Sequence, residues 1–128
     1  SAKLVHPKKT VVSFNGDGCF MMLGQEIINA VENQLNPIFI IINNKKLGTI
    51  RMHQEKKFPR RTIGTDILNP DFVALGKAYG IDAYRVTQTG EFSNVFEKAK
   101  INHTATLIEL IIEPNVLGPA LEIGKNIG

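Results

Sequence analysis

In the stretch TVVSFNGDGCF, residues 10–20, a β-branched run passes directly into a glycine-rich segment, and this transition indicates the class of fold. The run at 10–14 predicts a strand. The NGDG that follows at 15–18 indicates a tight loop at the end of that strand. From 20 to 35 the apolar residues recur at helical spacing, which predicts a helix that Asn36 and the proline after it bring to an end.

The rest of the chain continues this alternation. Residues 38–42 are an uninterrupted apolar run, typical of a strand buried on both faces of a parallel sheet. Residues 43–70 are polar, basic and without periodicity, which predicts a long functional loop. The later predicted elements are a helix at 71–79 that stops at Gly80, a strand at 83–86, a helix at 91–100 with Thr89 as its N-cap, and a strand at 105–112. This order predicts an α/β fold, an open parallel sheet with helices on both faces.

Length and composition limit the classes of protein. The chain has 128 residues, which suits one domain, and 43% of them are hydrophobic. No apolar run approaches the roughly 20 residues that cross a bilayer, so no membrane segment is predicted. The single cysteine, Cys19, excludes an intrachain disulfide and fits our prediction of a cytoplasmic protein. The net charge of +3 is mild. The basic residues at 45–61 match no nucleic-acid-binding module. They are therefore expected either to lie on a solvated surface or to attract an anionic ligand.

Two predicted strand ends carry residues that suit a ligand site. The first is Gly-Asp-Gly at 16–18, and the second is Asn-Asn at 43–44, with 24 residues between them. One helix and one strand fit that interval, so both ends are expected at the same edge of the sheet, where open α/β sheets bind ligands. Asp17 and Asn44 would supply the oxygen ligands that magnesium prefers. The pair therefore predicts a site for magnesium and a diphosphate.

Backbone groups complete this predicted site. Glycines let a backbone approach a ligand closely. The N–H groups of Cys19 and Phe20, at the predicted helix start, are candidate donors to phosphate oxygens. Taken alone, the Gly-Asp-Gly is as compatible with a simple turn, and the combination with Asn-Asn is the specific signal. A dinucleotide fingerprint is disfavoured because Met21 stands where a third glycine is needed.

Five segments together resemble the acetolactate synthase-like branch of the thiamine diphosphate enzymes: residues 10–22, 25–27, 43–50, 71–80 and 106–110. The resemblance extends to about Pro114. It implies that residues 1–128 are a partial C-terminal thiamine diphosphate-binding domain, a fragment that lacks the first strands and helices of the fold. The tail at 115–128 predicts no element of its own.

The resemblance implies a role for individual residues. Asp17, Asn44 and the backbone carbonyl of Lys46 would bind magnesium. The implied cofactor-binding residues are Gly16, Asp17, Gly18, Cys19, Phe20, Asn44, Leu47 and Gly48, and Thr49 and His53 are weaker candidates for substrate contacts. Cys19 stands where the family has a smaller residue, which a backbone contact tolerates. Residues 55–69 fall where family members carry a mobile segment.

The resemblance also implies partners and activity. The family's catalytic glutamate lies on a pyrimidine-binding domain, and active sites form where that domain of a second subunit meets this one. We therefore expect a homo-oligomer that acts on a 2-oxo acid as a lyase or transferase, by decarboxylation or carboligation, and no turnover by the isolated chain. The alternatives are a non-catalytic α/β binding module and a nucleotide-dependent oxidoreductase domain.

Overall fold

The computed structural model describes residues 1–118 and 121–122 of the chain. Its helices are α1 (Ala2–Val5), α2 (Asp17–Leu23), α3 (Ile27–Glu32), α4 (Gly48–Lys57), α5 (Phe72–Ala78) and α6 (Thr89–Ile101), with a 3₁₀ turn at Gly24–Glu26. Its strands are β1 (Val12–Gly16), β2 (Ile38–Asn43), β3 (Asp82–Val86), β4 (Thr106–Ile111), β5 (Val116–Gly118) and β6 (Leu121–Glu122). Of the tail, for which the sequence predicts no element, residues 119–120 and 123–128 lie outside the described residues.

The main sheet has four parallel strands in the order β1-β2-β4-β3. Its two faces are covered by different helices, which confirms the predicted α/β architecture. Ile41 and Leu107 belong to a core with α2, α3 and α5, whereas Ile40 and Ile108 point to the opposite core, against α6. Within the described residues, no helix has both the length and the apolar character that spanning a bilayer requires.

The predicted loop and helix after β1 are wrong in their boundaries. The strand is two residues later than the predicted 10–14 and continues through Gly16, and α2 begins at once with Asp17, so no tight loop separates them. The single helix predicted over 20–35 is two short helices joined by the 3₁₀ turn. The Phe20 ring explains the break, because a Cβ on Gly24 would lie 2.6 Å from it and the ring packs directly on the backbone there. The second helix ends at Glu32, ahead of Gln34, which has a positive φ of 51°.

The predicted long loop at 43–70 is also wrong, because α4 occupies its first half. The sequence pattern misses α4 because its one buried side chain is Glu55 and it has no apolar stripe. Polar contacts hold it instead: the Gln54 side chain exchanges two 3.0 Å hydrogen bonds with the Ile63 backbone, and Glu55 accepts one from the Arg60 N–H at 2.9 Å. These contacts tie α4 to the segment that follows it.

Side-chain hydrogen bonds cap the N-termini of α5 and α6. Asp71 caps α5 by accepting hydrogen bonds from the Val73 and Ala74 N–H groups, both at 3.0 Å, and α5 agrees with its prediction within one residue. At α6 the predicted N-cap, Thr89, is the first helical residue. The cap is Gln88, which forms a capping box with Glu91.

Gly76 lies where α5 contacts the sheet, and its substitution by alanine should destabilise the domain. A Cβ there would lie 2.8 Å from the Ala83 Cβ, which cannot rotate away. Overpacking of this kind costs about 1–3 kcal/mol, more than the gain of about 1 kcal/mol in helix propensity. The matched control is Gly90→Ala, because Gly90 is also helical and has open space around it. Urea unfolding, monitored through hydrogen exchange of β3, should show a lower free energy of unfolding for Gly76→Ala than for the wild type. For Gly90→Ala the free energy of unfolding should be unchanged or raised. The reverse order would show that close packing at Gly76 does not limit stability.

Candidate functional site

A cleft of about 510 Å³ opens at the carboxyl ends of β1 and β2. The register pairs Gly16 with Ile42, so the two strand ends lie side by side as predicted. Nine of the predicted site residues line the cleft: Gly16, Asp17, Gly18, Cys19, Asn44, Lys46, Leu47, Gly48 and Thr49. Its other walls are apolar and come from Met22, Ile42, Ile50, Met52 and Ile112.

Two predicted site residues lie elsewhere. His53 is exposed on α4 and does not line the cleft. The Phe20 side chain is buried in the core, in an edge-to-face contact with Phe72. Because α2 begins at Asp17, the N–H groups of residues 16–19 have no acceptor within the helix, whereas helix geometry directs the Phe20 N–H to the Gly16 carbonyl. Phe20 therefore supports the site through packing, and Cys19 remains as a candidate donor.

The Asp17 carboxylate is the most unusual group in the cleft. It is 2% exposed. Its Oδ1 accepts a hydrogen bond from the Gly18 N–H at 2.9 Å, and its Oδ2 accepts two, from the Lys45 N–H at 2.8 Å and the Asn69 Nδ2 at 2.7 Å. Among the described residues, no cationic side chain forms an ion pair with it. Buried charges are normally paired or coordinate a metal, so this carboxylate suits a cation.

The loop after β2 is clamped in place around Asp17. Lys45 adopts a positive φ of 56°, and its N–H donates to Asp17 Oδ2. Asn44 closes the turn by accepting a hydrogen bond from the Lys46 N–H at 3.0 Å. The Leu47 N–H donates to the Thr65 carbonyl at 2.8 Å. Within the described part of the chain, the Lys46 carbonyl accepts no hydrogen bond, so it is available as a ligand.

The glycines fit a site where backbone and ligand approach closely. A Cβ on Gly18 would lie 2.8 Å from Leu47 Cδ2 and 3.0 Å from Ile67 Cδ1. A Cβ on Gly16 would enter open space at the cleft wall, because no atom lies within 4 Å of it. The described residues hold no group of three or more histidine, cysteine, aspartate or glutamate side chains that could bind a metal. A cation here would therefore take amide, carbonyl or ligand oxygens as well as Asp17.

A second layer of polar residues lies behind the cleft, and no sequence motif predicts it. Asn69 donates to Asn43 Oδ1 at 2.9 Å as well as to Asp17, and Asn43 Nδ2 donates to Glu109 Oε1 at 2.6 Å. Glu109 is also bound by Arg85 Nε at 2.6 Å, and this hydrogen bond is the main reason why the pKa of Arg85 is raised. A glutamate in the middle of the apolar run at 105–112 was the available signal for Glu109.

Comparisons with known proteins agree with this geometry. Residues 1–110 match the family described as thiamine pyrophosphate enzyme, C-terminal TPP binding domain. The acetolactate synthase large subunit of Corynebacterium glutamicum is 35% identical over 132 residues, which cover 98% of this chain and 21% of that protein. The 3D-(3,5/4)-trihydroxycyclohexane-1,2-dione hydrolase of Bacillus velezensis is 30% identical, with the same coverage of both chains.

A solved structure is similar as well. The thiamine diphosphate-dependent 4-hydroxybenzoylformate decarboxylase of Rhodococcus jostii RHA1 superposes with a TM-score of 0.82 at 28% identity, over 88% of this chain and 21% of that one. The chain thus spans about a fifth of the length of the relatives it matches. The sequence resemblance is confirmed at the level of the family, and the chain belongs to the thiamine pyrophosphate enzymes as a C-terminal TPP-binding domain.

Proposed function

We propose that this domain binds the diphosphate of thiamine diphosphate through a magnesium ion held by Asp17, Asn44 and the Lys46 carbonyl. The observation that carries the proposal is the buried Asp17 carboxylate, which faces the cleft with neutral donors around it and has no ion-pair partner among the described residues. A bound Mg²⁺ would supply the missing positive charge. The turn that holds Asn44 and Lys46 is bonded directly to Asp17 through the Lys45 N–H, so the three ligands come together.

The number of available oxygens suits magnesium. Mg²⁺ takes six oxygens in octahedral geometry and usually receives only a few from protein. One carboxylate, one amide and one backbone carbonyl would leave three positions for phosphate oxygens and water. Gly18 would contribute through its lack of a side chain, because its N–H already donates to Asp17. The Cys19 N–H, at the start of α2, would donate to the diphosphate.

The apolar wall of the cleft would receive the rest of the cofactor. Met22, Ile50 and Met52 line it next to the polar floor, and Thr49 adds a hydroxyl. When bound, thiamine diphosphate supplies the nucleophilic carbon and the electron sink for chemistry at the carbonyl of a 2-oxo acid. This domain's residues bind the cofactor, orient it and keep water from its ring.

The whole protein's activity follows as part of the same proposal. We infer that the full-length protein acts on a 2-oxo acid by decarboxylation, carboligation or both, as a cytoplasmic lyase or transferase. A pyrimidine-binding domain from a second subunit would complete the active site, which requires a homo-oligomer. The isolated chain should show no turnover, because it offers one wall of that site.

Calorimetry on the full-length protein tests the magnesium site. Thiamine diphosphate should bind with Mg²⁺ and fail to bind after chelation with EDTA. Asn44→Ala should weaken binding by about 10- to 100-fold, because it removes one neutral ligand. Asn94→Ala is the matched control, since Asn94 is exposed on α6. Equal affinities for Asn44→Ala and the wild type would reject the assignment, and binding of a nicotinamide dinucleotide in place of thiamine diphosphate would favour the oxidoreductase alternative.

A further inference from the structure

A continuous line of hydrogen-bonded side chains runs behind the cleft, from Asp17 on α2 to Arg85 on β3. Asn69 bonds Asp17 and Asn43, Asn43 bonds Glu109, and Glu109 bonds Arg85. Glu109 is 2% exposed, lies on β4 and does not line the cleft. The two asparagines provide a hydrogen-bonded route from Glu109 to Asp17.

Glu109 determines which group donates and which accepts in each hydrogen bond along this line. A carboxylate offers only acceptors, and both of its oxygens are engaged: Oε1 by Asn43 Nδ2 and Oε2 by Arg85 Nε, each at 2.6 Å. Asn43 must therefore turn its NH₂ group toward Glu109. Its carbonyl oxygen is left to face the other way, toward Asn69.

The same reasoning fixes Asn69. Asn43 Oδ1 accepts hydrogen bonds from Asn69 Nδ2 at 2.9 Å and from the Lys45 N–H at 3.2 Å. Asn69 must present its NH₂ group there, and that group also donates to Asp17 Oδ2 at 2.7 Å. The Asn69 Oδ1 is buried and has no hydrogen-bond partner among the described residues. The two neighbouring acceptors, Asn43 Oδ1 and Asp17 Oδ2, determine the orientation of the Asn69 amide, and this explains why its own oxygen stays unpaired.

This arrangement gives the two carboxylate oxygens of Asp17 different numbers of hydrogen bonds. Its Oδ2 receives two hydrogen bonds, from the Asn69 side chain and the Lys45 N–H, which use both lone pairs. Its Oδ1 receives one, from the Gly18 N–H, and keeps one lone pair free. The line of amides thus distinguishes the two carboxylate oxygens.

We propose that Glu109 is a positioning residue for the cofactor cation. It orients the amides of Asn43 and Asn69, and these hold Asp17 Oδ2 so that Oδ1 is the oxygen that binds Mg²⁺. This inference rests on the proposed magnesium site. It assigns a role in that site to Glu109, a residue that does not itself line the cleft.

Glu109→Gln in the full-length protein tests the proposal. A glutamine at this position has the same shape, but it offers an acceptor to only one of its two donors, Asn43 or Arg85. We expect the Mg²⁺ concentration for half-maximal thiamine diphosphate binding to rise about tenfold. At saturating Mg²⁺ and cofactor, kcat should stay within about twofold of the wild type. Glu97→Gln is the matched control, because Glu97 is an exposed glutamate on α6.

A second substitution separates positioning from packing. Combining Glu109→Gln with Asn43→Asp restores complementary polarity: the glutamine can accept from Arg85 and donate to the new aspartate, which accepts from Asn69 and Lys45. The double variant should recover most of the Mg²⁺ affinity. Asn43→Asp alone should bind Mg²⁺ more weakly than Glu109→Gln or the double variant, because it places the new aspartate against the Glu109 carboxylate. A role limited to packing gives no such recovery.

Hydrogen exchange of the Lys45 amide provides a readout that needs no cofactor. Its exchange should accelerate in Glu109→Gln and return toward the wild-type rate in the double variant. Equal Mg²⁺ dependence in the wild type and Glu109→Gln, or no recovery in the double variant, would overturn the positioning role. A wild-type protein that binds thiamine diphosphate without any Mg²⁺ dependence would instead overturn the proposed function, and the positioning role with it.

Discussion

Asp17→Asn should abolish magnesium-dependent binding of thiamine diphosphate, with a loss of affinity greater than about 100-fold. Substitutions of groups behind a metal site typically cost 10- to 100-fold in affinity, and a charged ligand of the metal should exceed that range. Among the described residues that line the cleft, Asp17 is the one acidic residue, and the substitution removes its negative charge. The effect should therefore be larger than that of Asn44→Ala, which removes a neutral oxygen.

The same substitution should also loosen the empty site. Both Asp17 oxygens accept hydrogen bonds, from Gly18 on one side and from Lys45 and Asn69 on the other. An asparagine has one acceptor and must direct its NH₂ group against at least one of these donors. Amide exchange at Lys45 should therefore be faster in Asp17→Asn even without cofactor.

Calorimetry with thiamine diphosphate and Mg²⁺, together with hydrogen exchange of the metal-free protein, measures both effects. The matched control is Asp66→Asn, which makes the same chemical change at a carboxylate beside the cleft whose side chain is 73% exposed. Asp66 pairs with the Lys46 ammonium, and its pKa is lowered mainly by that hydrogen bond. Cofactor affinity in Asp17→Asn within about threefold of the control would contradict the magnesium assignment.

Sequence periodicity predicts the parts of this site that depend on the strands. Short-range apolar patterns place Gly16 and Asn43 at neighbouring strand ends, and the parallel sheet then brings Asp17 and Asn44 to one edge. Periodicity fails for α4, because that helix is held by polar contacts to residues 60–65 and has no apolar stripe. The pattern of a helix is visible only when its buried face is apolar.

The line behind the cleft depends on partners that are distant in sequence. Asn69 is 52 residues from Asp17, and Asn43 is 66 residues from Glu109. No local pattern pairs such residues, and Asn69 falls within residues 43–70, for which the sequence predicts only a loop. Glu109 alone gives a signal, because a charged residue in a buried strand requires a partner. The identity of that partner needs the register of β2 against β4.

Phe72→Ala should destabilise the domain by about 3–5 kcal/mol, the usual cost of removing a buried aromatic side chain. Phe72 is 0% exposed, and its ring meets that of Phe20 edge to face, with 5.6 Å between centroids. Phe20 in turn packs on Gly24, so the contact holds α2, which carries Asp17, against the sheet. A domain is stable by about 5–15 kcal/mol, so the loss is a large share of the total.

Cofactor binding should offset part of this loss, since a ligand at 100 times its Kd stabilises the folded state by about 2.7 kcal/mol. Hydrogen exchange of β2 and β4 in the full-length protein, with and without thiamine diphosphate and Mg²⁺, measures both quantities. Phe58→Ala is the matched control, because Phe58 is 52% exposed after α4 and should change the free energy of opening by less than about 1 kcal/mol. If Phe72→Ala opens no more readily than Phe58→Ala, α2 does not depend on this aromatic pair. If the cofactor protects the control but gives Phe72→Ala no protection, the ring pair contributes to the geometry of the binding site as well as to its stability.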